Sequence, residues 1–195
     1  MCNLYTQTKS VDEIARLFRD MQMPIAFPEG APNLKPGDIA ITDPGAIVRR
    51  AGDGSTALEL VTRRWSWPGP GGKPVYNFRS DGREFSSGRC LILAEGFYEF
   101  TANADPKAKR KHKWRFTLKG APLFAVAGLW RSTPEVGEAF TMLTMPPGPD
   151  IAPYHSRQIA VLAPEQFEPW LNPHVRAADV LQVLPEGSLN VEQVA

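Results

Sequence analysis

The apolar positions of the chain recur with a helical period near its start and with a strand-like pattern through its middle. Residues 11–21 show apolar positions at helical spacing. Ser10 before this segment and Glu13 within it form the Ser-x-x-Glu pattern of a helix-capping box. This pattern predicts a short amphipathic helix. From residue 38 onward, short apolar runs separated by Gly and Pro predict ten strands, namely Asp38–Thr42, Ala46–Arg50, Thr56–Arg63, Val75–Arg79, Cys90–Ala94, Phe97–Thr101, Lys113–Leu118, Leu123–Trp130, Ala139–Thr144 and Arg157–Leu162.

The number of short strands favours an antiparallel core over a parallel α/β sheet. The 16 Gly and 19 Pro residues supply the turns that such a core needs. A helical period returns in Pro164–Leu171 and Arg176–Leu184, which we expect to pack at the edge of the sheet. We therefore predict one α+β domain over residues 1–195, with a mainly antiparallel, barrel-like β core over about 38–162 and a C-terminal helical segment over about 164–184.

The composition narrows the class of protein further. A chain of 195 residues with 43% hydrophobic and 22% charged residues is long enough for one well-filled core and short for two. No apolar run approaches the roughly 20 residues that span a bilayer, so we expect a cytoplasmic protein with no membrane segment, associated with the nucleoid if it is bacterial. The two cysteines, Cys2 and Cys90, are too few for a disulfide framework, and no Cys/His spacing is typical of zinc. We expect no metal and no cofactor, and a monomer.

The net charge of +1 excludes a protein that binds nucleic acid through its overall charge, but the charges are unevenly distributed. From Pro164 onward five acidic residues stand against one arginine, a balance of −4 that leaves +5 for the rest of the chain. Basic residues concentrate in Arg49-Arg50, Arg63-Arg64 and the run Lys107–Arg115, which reads KAKRKHKWR. This run can guide a polyanion or can be a solvated lysine-rich loop, and the sequence leaves both interpretations open.

Cys2 is the second residue of the chain, and methionine aminopeptidases remove Met1 when a small residue follows it. The processed chain would carry a free α-amine beside a thiol, which is a 1,2-aminothiol. Its thiol can attack a carbonyl with the amine as a neighbouring base, or amine and sulfur together can condense with an aldehyde into a thiazolidine ring. From its position alone, a reactive Cys2 and a Cys2 with no function are equally acceptable interpretations.

Three further stretches carry polar groups that can do chemistry. His155 lies in a turn-like entry to a strand, where an imidazole can act as an acid–base group. Glu99 lies among aromatic residues, where a carboxylate is costly to bury unless it is paired or its pKa is raised for proton transfer. Asn77 and Arg79 alternate along one strand, so their side chains point to the same face. Taken singly, each position more commonly serves structure.

Together and in this order, these elements resemble the SOS-response-associated peptidase (SRAP) family, whose members shield abasic sites in single-stranded DNA by crosslinking to them. The resemblance extends from residue 1 to about 162, and the family fold, a compact mixed domain with a barrel-like antiparallel core, agrees with the strand pattern. The matching segments, of which the fourth is the most specific, are Met1-Cys2, Arg64-Trp65 with Pro68, Asn77-x-Arg79, Arg89-Cys90-Leu91-Ile92-Leu93-Ala94-Glu95-Gly96-Phe97-Tyr98-Glu99-Phe100 and Pro153-Tyr154-His155-x-Arg157.

The resemblance implies a site and a reaction. It makes Cys2 the crosslinking residue after loss of Met1, and its active-site partners are then Asn77, Glu99 and His155. His155 would help to open the deoxyribose to its aldehyde, and the Cys2 amine would form a Schiff base while Glu99 moves protons and Asn77 holds the amine or the sugar oxygen. The sulfur would then close a thiazolidine. The resemblance also implies that the same residues remove Met1 autocatalytically.

The partner that the resemblance implies is single-stranded DNA containing an abasic site. Arginines would hold its phosphates and aromatic rings would stack on its bases, and the residues expected in these roles are Arg64, Arg79, Arg157, Trp65, Trp67 and Phe100. The chain departs from the family where Cys2-Asn3-Leu4 replaces the common Cys-Gly-Arg, where Phe100 replaces a tryptophan, and across Thr144–Gly148. These departures concern the DNA contacts more than the chemistry.

Two other functions stay open at this level. A class II glutamine amidotransferase-like amidohydrolase also begins Met-Cys and uses a free α-amine, but it has little need for an Asn-x-Arg strand, a glutamate among aromatics and a His-x-Arg turn together. A single-strand DNA-binding module without covalent chemistry would need the arginines and aromatic rings but not Cys2.

Overall fold

The strands of the protein form a closed ring and a second, open sheet in a computed structural model, which describes residues 2–52, 55–105, 107 and 110–195. The helices are α1 (Val11–Asp20), α2 (Phe167–Leu171) and α3 (Ala177–Val180), and 3-10 turns lie at Pro70–Gly72 and Pro164–Gln166. The strands are β1 (Leu4–Gln7), β2 (Ile25–Ala26), β3 (Gly37–Ala40), β4 (Pro44–Arg50), β5 (Leu58–Trp65), β6 (Trp67–Pro68), β7 (Pro74–Val75), β8 (Asn77–Arg79), β9 (Arg89–Ala94), β10 (Gly96–Thr101), β11 (His112–Leu118), β12 (Phe124–Thr133), β13 (Gly137–Met145), β14 (Gln158–Ile159), β15 (Val161–Leu162) and β16 (Leu189–Gln193).

The ring is a five-stranded barrel. Strands β13, β12, β9, β4 and β5 pair in that order, each antiparallel to its neighbour. A parallel pairing of β5 with β13, through Arg64 opposite Ala139 and Trp65 opposite Phe140, closes the ring. Closure leaves these strands without free edges, which removes their unpaired backbone groups from solvent. The predicted α+β fold with a mainly antiparallel, barrel-like core is confirmed.

The second sheet contains five antiparallel strands in the order β16, β11, β10, β1 and β3. The hydrophobic pattern did not predict β1 or β16, because each is short and carries several polar residues. The predicted helix over Arg176–Leu184 was too long, since α3 ends at Val180 and Pro185 follows before the chain turns into β16. Long-range pairing therefore determines the structure of both ends of the chain.

The barrel strands contribute alternate side chains to two hydrophobic clusters. On β9, Cys90 and Ile92 belong to the cluster shared with the second sheet, while Leu91 and Leu93 belong to the cluster covered by the helices. Helix α1 begins as predicted, with a capping box in which the Ser10 and Glu13 side chains bond to each other's backbone N–H. Over the described residues, no helix has the length and apolar character needed to cross a membrane.

Strand β1 is held against the barrel by one buried side chain and one close approach. The amide of Gln7 accepts a hydrogen bond from the Ala46 N–H at 3.0 Å and donates one to the Leu93 carbonyl at 2.9 Å. The hydroxyl of Tyr5 lies only 2.0 Å from the place where a Cβ on Gly45 would stand, so a side chain at position 45 would push β1 away. These contacts fix the strand that follows Cys2.

Candidate active site

The four residues predicted to be catalytic come from four separate segments that meet where the second sheet joins the barrel. Cys2 lies two residues before the start of β1, which pairs with β10, the strand that carries Glu99. Asn77 begins β8, which runs parallel to β13, and His155 lies in the turn before β14, which also pairs with β13. The sheet topology therefore brings together residues that are up to 153 positions apart in the chain.

Cys2 is buried, with 1% of its surface exposed, and its backbone and side chain are both engaged. Its thiol donates a hydrogen bond to the Leu4 carbonyl at 3.3 Å, and its own carbonyl accepts one from the Asn77 amide nitrogen at 2.9 Å. Burial, with the charge of Glu99 adding to it, raises the pKa of the Cys2 thiol to about 12. The thiol is thus protonated at neutral pH, and Asn77 fixes the backbone beside it.

Glu99 is also buried to 1% exposure, although it is a carboxylate. Burial raises its pKa, and the His155 charge and a hydrogen bond from the backbone N–H of Cys2 offset that rise only in part. The carboxyl group therefore lies against the nitrogen of Cys2 and holds its proton more readily than an exposed glutamate does. A carboxyl with these properties can act as a general acid or base at that nitrogen.

The imidazole of His155 is anchored through one ring nitrogen. Its Nδ1 lies 3.0 Å from the backbone N–H of Arg157 and 3.0 Å from the Arg157 carbonyl oxygen. The N–H can donate to a neutral ring, and a protonated ring can donate to the carbonyl, so Nδ1 has a partner in either charge state. The backbone of Arg157 therefore fixes the position of the His155 ring.

An open cleft of about 340 Å³ gives access to Glu99 and His155, and its other lining residues are Asn3, Phe100 and Lys111. Cys2 lies next to Asn3 in the chain but is itself buried. The volume lies at the lower end of the range of small-molecule sites. Three larger clefts among the described residues, of about 350, 400 and 450 Å³, contain none of the four predicted catalytic residues, so size alone does not identify the site. Within the described part of the chain, no three His, Cys, Asp or Glu side chains form a metal-binding group.

The arginines predicted to bind phosphate differ in the hydrogen bonds that their guanidinium groups already make within the protein. The guanidinium of Arg157 forms a bidentate pair with Asp81, with contacts of 3.0 and 2.6 Å, and its Nη2 also donates to the Thr144 carbonyl at 3.0 Å. Arg79 is exposed at the end of β8, and Arg64 reaches the Thr42 carbonyl only at 3.4 Å. Phosphate binding stays a prediction for all three arginines, and Arg157 would exchange or share its bond to Asp81.

The aromatic residues predicted to stack on bases are mostly in the core. Trp65 is fully buried and its indole N–H donates to the Tyr76 carbonyl at 2.9 Å, while Trp67 is 5% exposed and lies under the Arg131 guanidinium at 4.2 Å. A ring must be exposed to stack on a base. The expected stacking role is therefore corrected for Trp65 and Trp67, whose rings are buried in the core. Phe100 lines the cleft, and there the stacking role stays a prediction.

Two residues near the site were not singled out from the sequence. Lys111 lines the cleft. The sequence showed the basic run that contains it but did not indicate which of its residues lies at the site. Asp81 lies 76 positions before Arg157, and no local pattern indicates that pairing. Positions 108 and 109 of the basic run lie outside the described residues, and so does Met1.

Comparison with known proteins adds sequence and fold relatives to this geometry. The family model described as SOS response associated peptidase (SRAP) matches residues 1–195. The abasic site processing protein YoqW of Bacillus subtilis (strain 168) is 38% identical over 102 residues, which cover 50% of this chain and 44% of that protein. YobE of the same organism, which has the same description, is 36% identical over 106 residues, covering 52% and 47%. The chain thus matches about half the length of these curated relatives.

Two solved structures have the same fold at low sequence identity. A protein from Bordetella bronchiseptica superimposes with a TM-score of 0.74 at 22% identity, covering 100% of both chains. A protein from Bacteroides thetaiotaomicron gives a TM-score of 0.75 at 16% identity, covering 100% of this chain and 92% of that one. At these identities the likeness concerns the fold alone.

Proposed function

The chain belongs to the SOS response associated peptidase (SRAP) family, and from that membership we propose that it processes abasic sites in single-stranded DNA by crosslinking to them through Cys2. The observation that carries the proposal is the hydrogen bond between the backbone nitrogen of Cys2 and the buried carboxyl of Glu99. Once Met1 is removed, that nitrogen is the α-amine of a 1,2-aminothiol. The names of the relatives, which are abasic site processing proteins, support a sugar aldehyde as its target.

The first step is hydrolysis of the peptide bond between Met1 and Cys2. It consumes one water molecule and releases methionine and a free Cys2 amine. A protonated Glu99 beside the Cys2 nitrogen can supply the proton that this nitrogen takes up as the bond breaks. We include this autoproteolytic step in the proposal because the same carboxyl then serves the reaction with DNA.

The crosslink forms by condensation of the aminothiol with the ring-opened sugar. His155 assists opening of the closed hemiacetal to the aldehyde by proton transfer. The Cys2 amine adds to the aldehyde carbon, and loss of one water gives a Schiff base. The thiol then adds across the C=N bond, sulfur to carbon and proton to nitrogen, and closes the thiazolidine. The net reaction joins protein and DNA and releases one water.

The state of the thiol supports this order of steps. An amidohydrolase of the glutamine amidotransferase type needs the sulfur as the first nucleophile, and the thiolate is the reactive form of cysteine. With a pKa of about 12, the Cys2 thiol is almost wholly protonated at neutral pH. A reaction in which the amine attacks first and the sulfur adds afterwards to an activated C=N bond suits that state.

Denaturing electrophoresis after incubation with a single-stranded oligonucleotide tests the proposal. We expect the wild-type chain to form a denaturation-resistant adduct when the oligonucleotide contains an abasic site and none when it is intact. Cys2→Ala should abolish the adduct, while the matched variant Cys90→Ala, which alters the other buried thiol, should retain it. An adduct that persists in Cys2→Ala would contradict thiazolidine formation.

Mass determination of the N-terminus tests the peptidase step separately. We expect Met1 to be absent from the wild-type chain and retained in Glu99→Gln when both are made in a cell-free system without methionine aminopeptidase. Equal processing of the two chains would contradict removal of Met1 through Glu99.

A further inference from the structure

The proposed function brings a polyanion to a cleft whose lining supplies few charges. Asn3 and Phe100 are neutral, and a carboxylate form of Glu99 would repel phosphate. The residue after Asn3 is Leu4, which also adds no charge. Electrostatic attraction between Lys or Arg and phosphate supplies most of the affinity of proteins for DNA, so the cleft needs a cation on its rim.

Among the described residues that line the cleft, Lys111 is the one lysine or arginine. It is exposed, it lines the cleft together with Glu99 and His155, and no carboxylate of the described residues forms an ion pair with it. Arg157, the nearest predicted phosphate ligand in sequence to His155, is instead engaged by Asp81. An exposed ammonium on a flexible four-carbon stem can follow a phosphate without loss of an existing partner.

Lys113, two positions further along the chain and inside β11, is a lysine whose side chain already has partners in the protein. Lys113 lies over the Tyr98 ring, with its ammonium 3.9 Å from the ring centroid, and it is 3.7 Å from the Asp38 carboxylate. Lys111 and Lys113 have the same charge and are two positions apart, but only Lys111 lines the cleft. The pair separates the effect of a charge at the cleft from the effect of net charge.

We propose that Lys111 is a DNA-binding residue that holds the phosphate next to the abasic nucleotide while Cys2 reacts. The inference rests on the proposed function, since it assumes single-stranded DNA in this cleft. It assigns a specific task to one position of the basic run, and it makes Lys111 a residue of substrate binding rather than of catalysis.

Noncovalent binding is measured in a Cys2→Ala background, by fluorescence anisotropy with a labelled single-stranded oligonucleotide containing one abasic site, over a range of salt concentrations. Lys111→Ala should weaken binding several-fold and lower the magnitude of the salt-dependence slope by about 0.7, the value for one phosphate contact on a single strand. Lys113→Ala should leave the slope unchanged, and Lys111→Arg should restore it. Equal slopes for Lys111→Ala and Lys113→Ala would overturn the inference.

Adduct formation with Cys2 intact separates binding from catalysis. Lys111→Ala should raise the DNA concentration that gives half the maximal rate, while the rate at saturating DNA stays within about twofold of wild type. A lowered rate at saturation with unchanged half-saturation would overturn the binding role. If the wild-type chain forms no adduct, the proposed function falls; if it does and Lys111→Ala binds like wild type, only the assignment of Lys111 falls.

Discussion

The pKa values of buried Glu99 and half-buried Glu138 are shifted in opposite directions, because the two carboxyl groups have different partners. Glu138, on β13, accepts hydrogen bonds from the guanidinium groups of Arg49 and Arg63. Burial raises the pKa of Glu138, but these two arginines outweigh it and the net shift is downward. For Glu99 burial dominates, and the histidine and backbone N–H that oppose it leave the pKa raised.

Glu138 is a structural charge, whereas Glu99 is the carboxyl group that we propose to transfer protons. The barrel network around Glu138 keeps its carboxylate ionised and holds three strands together, since Arg49 lies on β4 and Arg63 on β5. The environment of Glu99 instead favours the protonated acid, next to the nitrogen that we propose as nucleophile. A carboxyl group needs this second kind of environment to exchange protons near neutral pH.

Exchange of each glutamate for glutamine gives the largest expected contrast. Glu99→Gln removes the proton donor without changing shape, and we expect the rate of adduct formation to fall by about 10²- to 10⁴-fold, the usual contribution of a general acid–base group. Glu138→Gln should leave that rate within about threefold of wild type. The rates come from single-turnover time courses with abasic single-stranded DNA, and similar losses in both variants would contradict the distinction.

Removal of one member of the barrel network tests its structural role. Arg49 lies 2.7 Å from Glu59 and 3.0 Å from Glu138, and only 9% of its side chain is exposed. Arg49→Ala leaves both carboxylates without this partner, and we expect a loss of about 3–5 kcal/mol in the free energy of unfolding, the usual cost of breaking a buried ion pair.

The adjacent arginine is the control for that measurement. Arg50 pairs with Glu168, whose side chain is 55% exposed, and a pair of this kind is worth about 1 kcal/mol or less. Its guanidinium also donates to the Leu171 and Thr56 carbonyls, so Arg50→Ala removes two neutral hydrogen bonds but no buried ion pair. Urea denaturation of Arg49→Ala and Arg50→Ala should therefore separate the two variants clearly. Equal midpoints would show that the barrel network contributes no more than a surface pair.

The sequence predicted the local elements better than the pairings between distant segments, and it proposed the candidate site residues without their surroundings. Ser10 and Glu13 marked the start of α1 because a capping box is a short-range pattern. Closure of the barrel by the parallel β5–β13 pair, and burial of Trp65 beside that closure, depend on contacts between distant segments that no local period records. The site residues were found through a resemblance, whereas the cleft around Lys111 required the fold.

The pH dependence of stability gives a smaller effect that also distinguishes the two glutamates. A lowered pKa means that folded Glu138 binds its proton less readily than the unfolded chain does, so its stabilisation is present above the ordinary value of 4.5 and is lost as the pH falls through the folded value. A raised pKa means the reverse for Glu99. Between its ordinary value of 4.5 and its raised folded value, the folded state binds more protons, and stability declines as the pH rises.

Glutamine does not titrate, so each Glu→Gln substitution removes the pH dependence of stability that its glutamate contributes. Glu138→Gln should be less stable than wild type at neutral pH, and the difference should shrink as the pH falls below 4.5. Glu99→Gln should gain stability relative to wild type as the pH rises above 4.5, up to the raised folded pKa. Urea midpoints from about pH 3 to about pH 8 measure both differences. If the urea midpoint of Glu99→Gln changed with pH in the same way as that of wild type, burial would not control the proton affinity of Glu99. The contrast with Glu138 would then lose its physical basis.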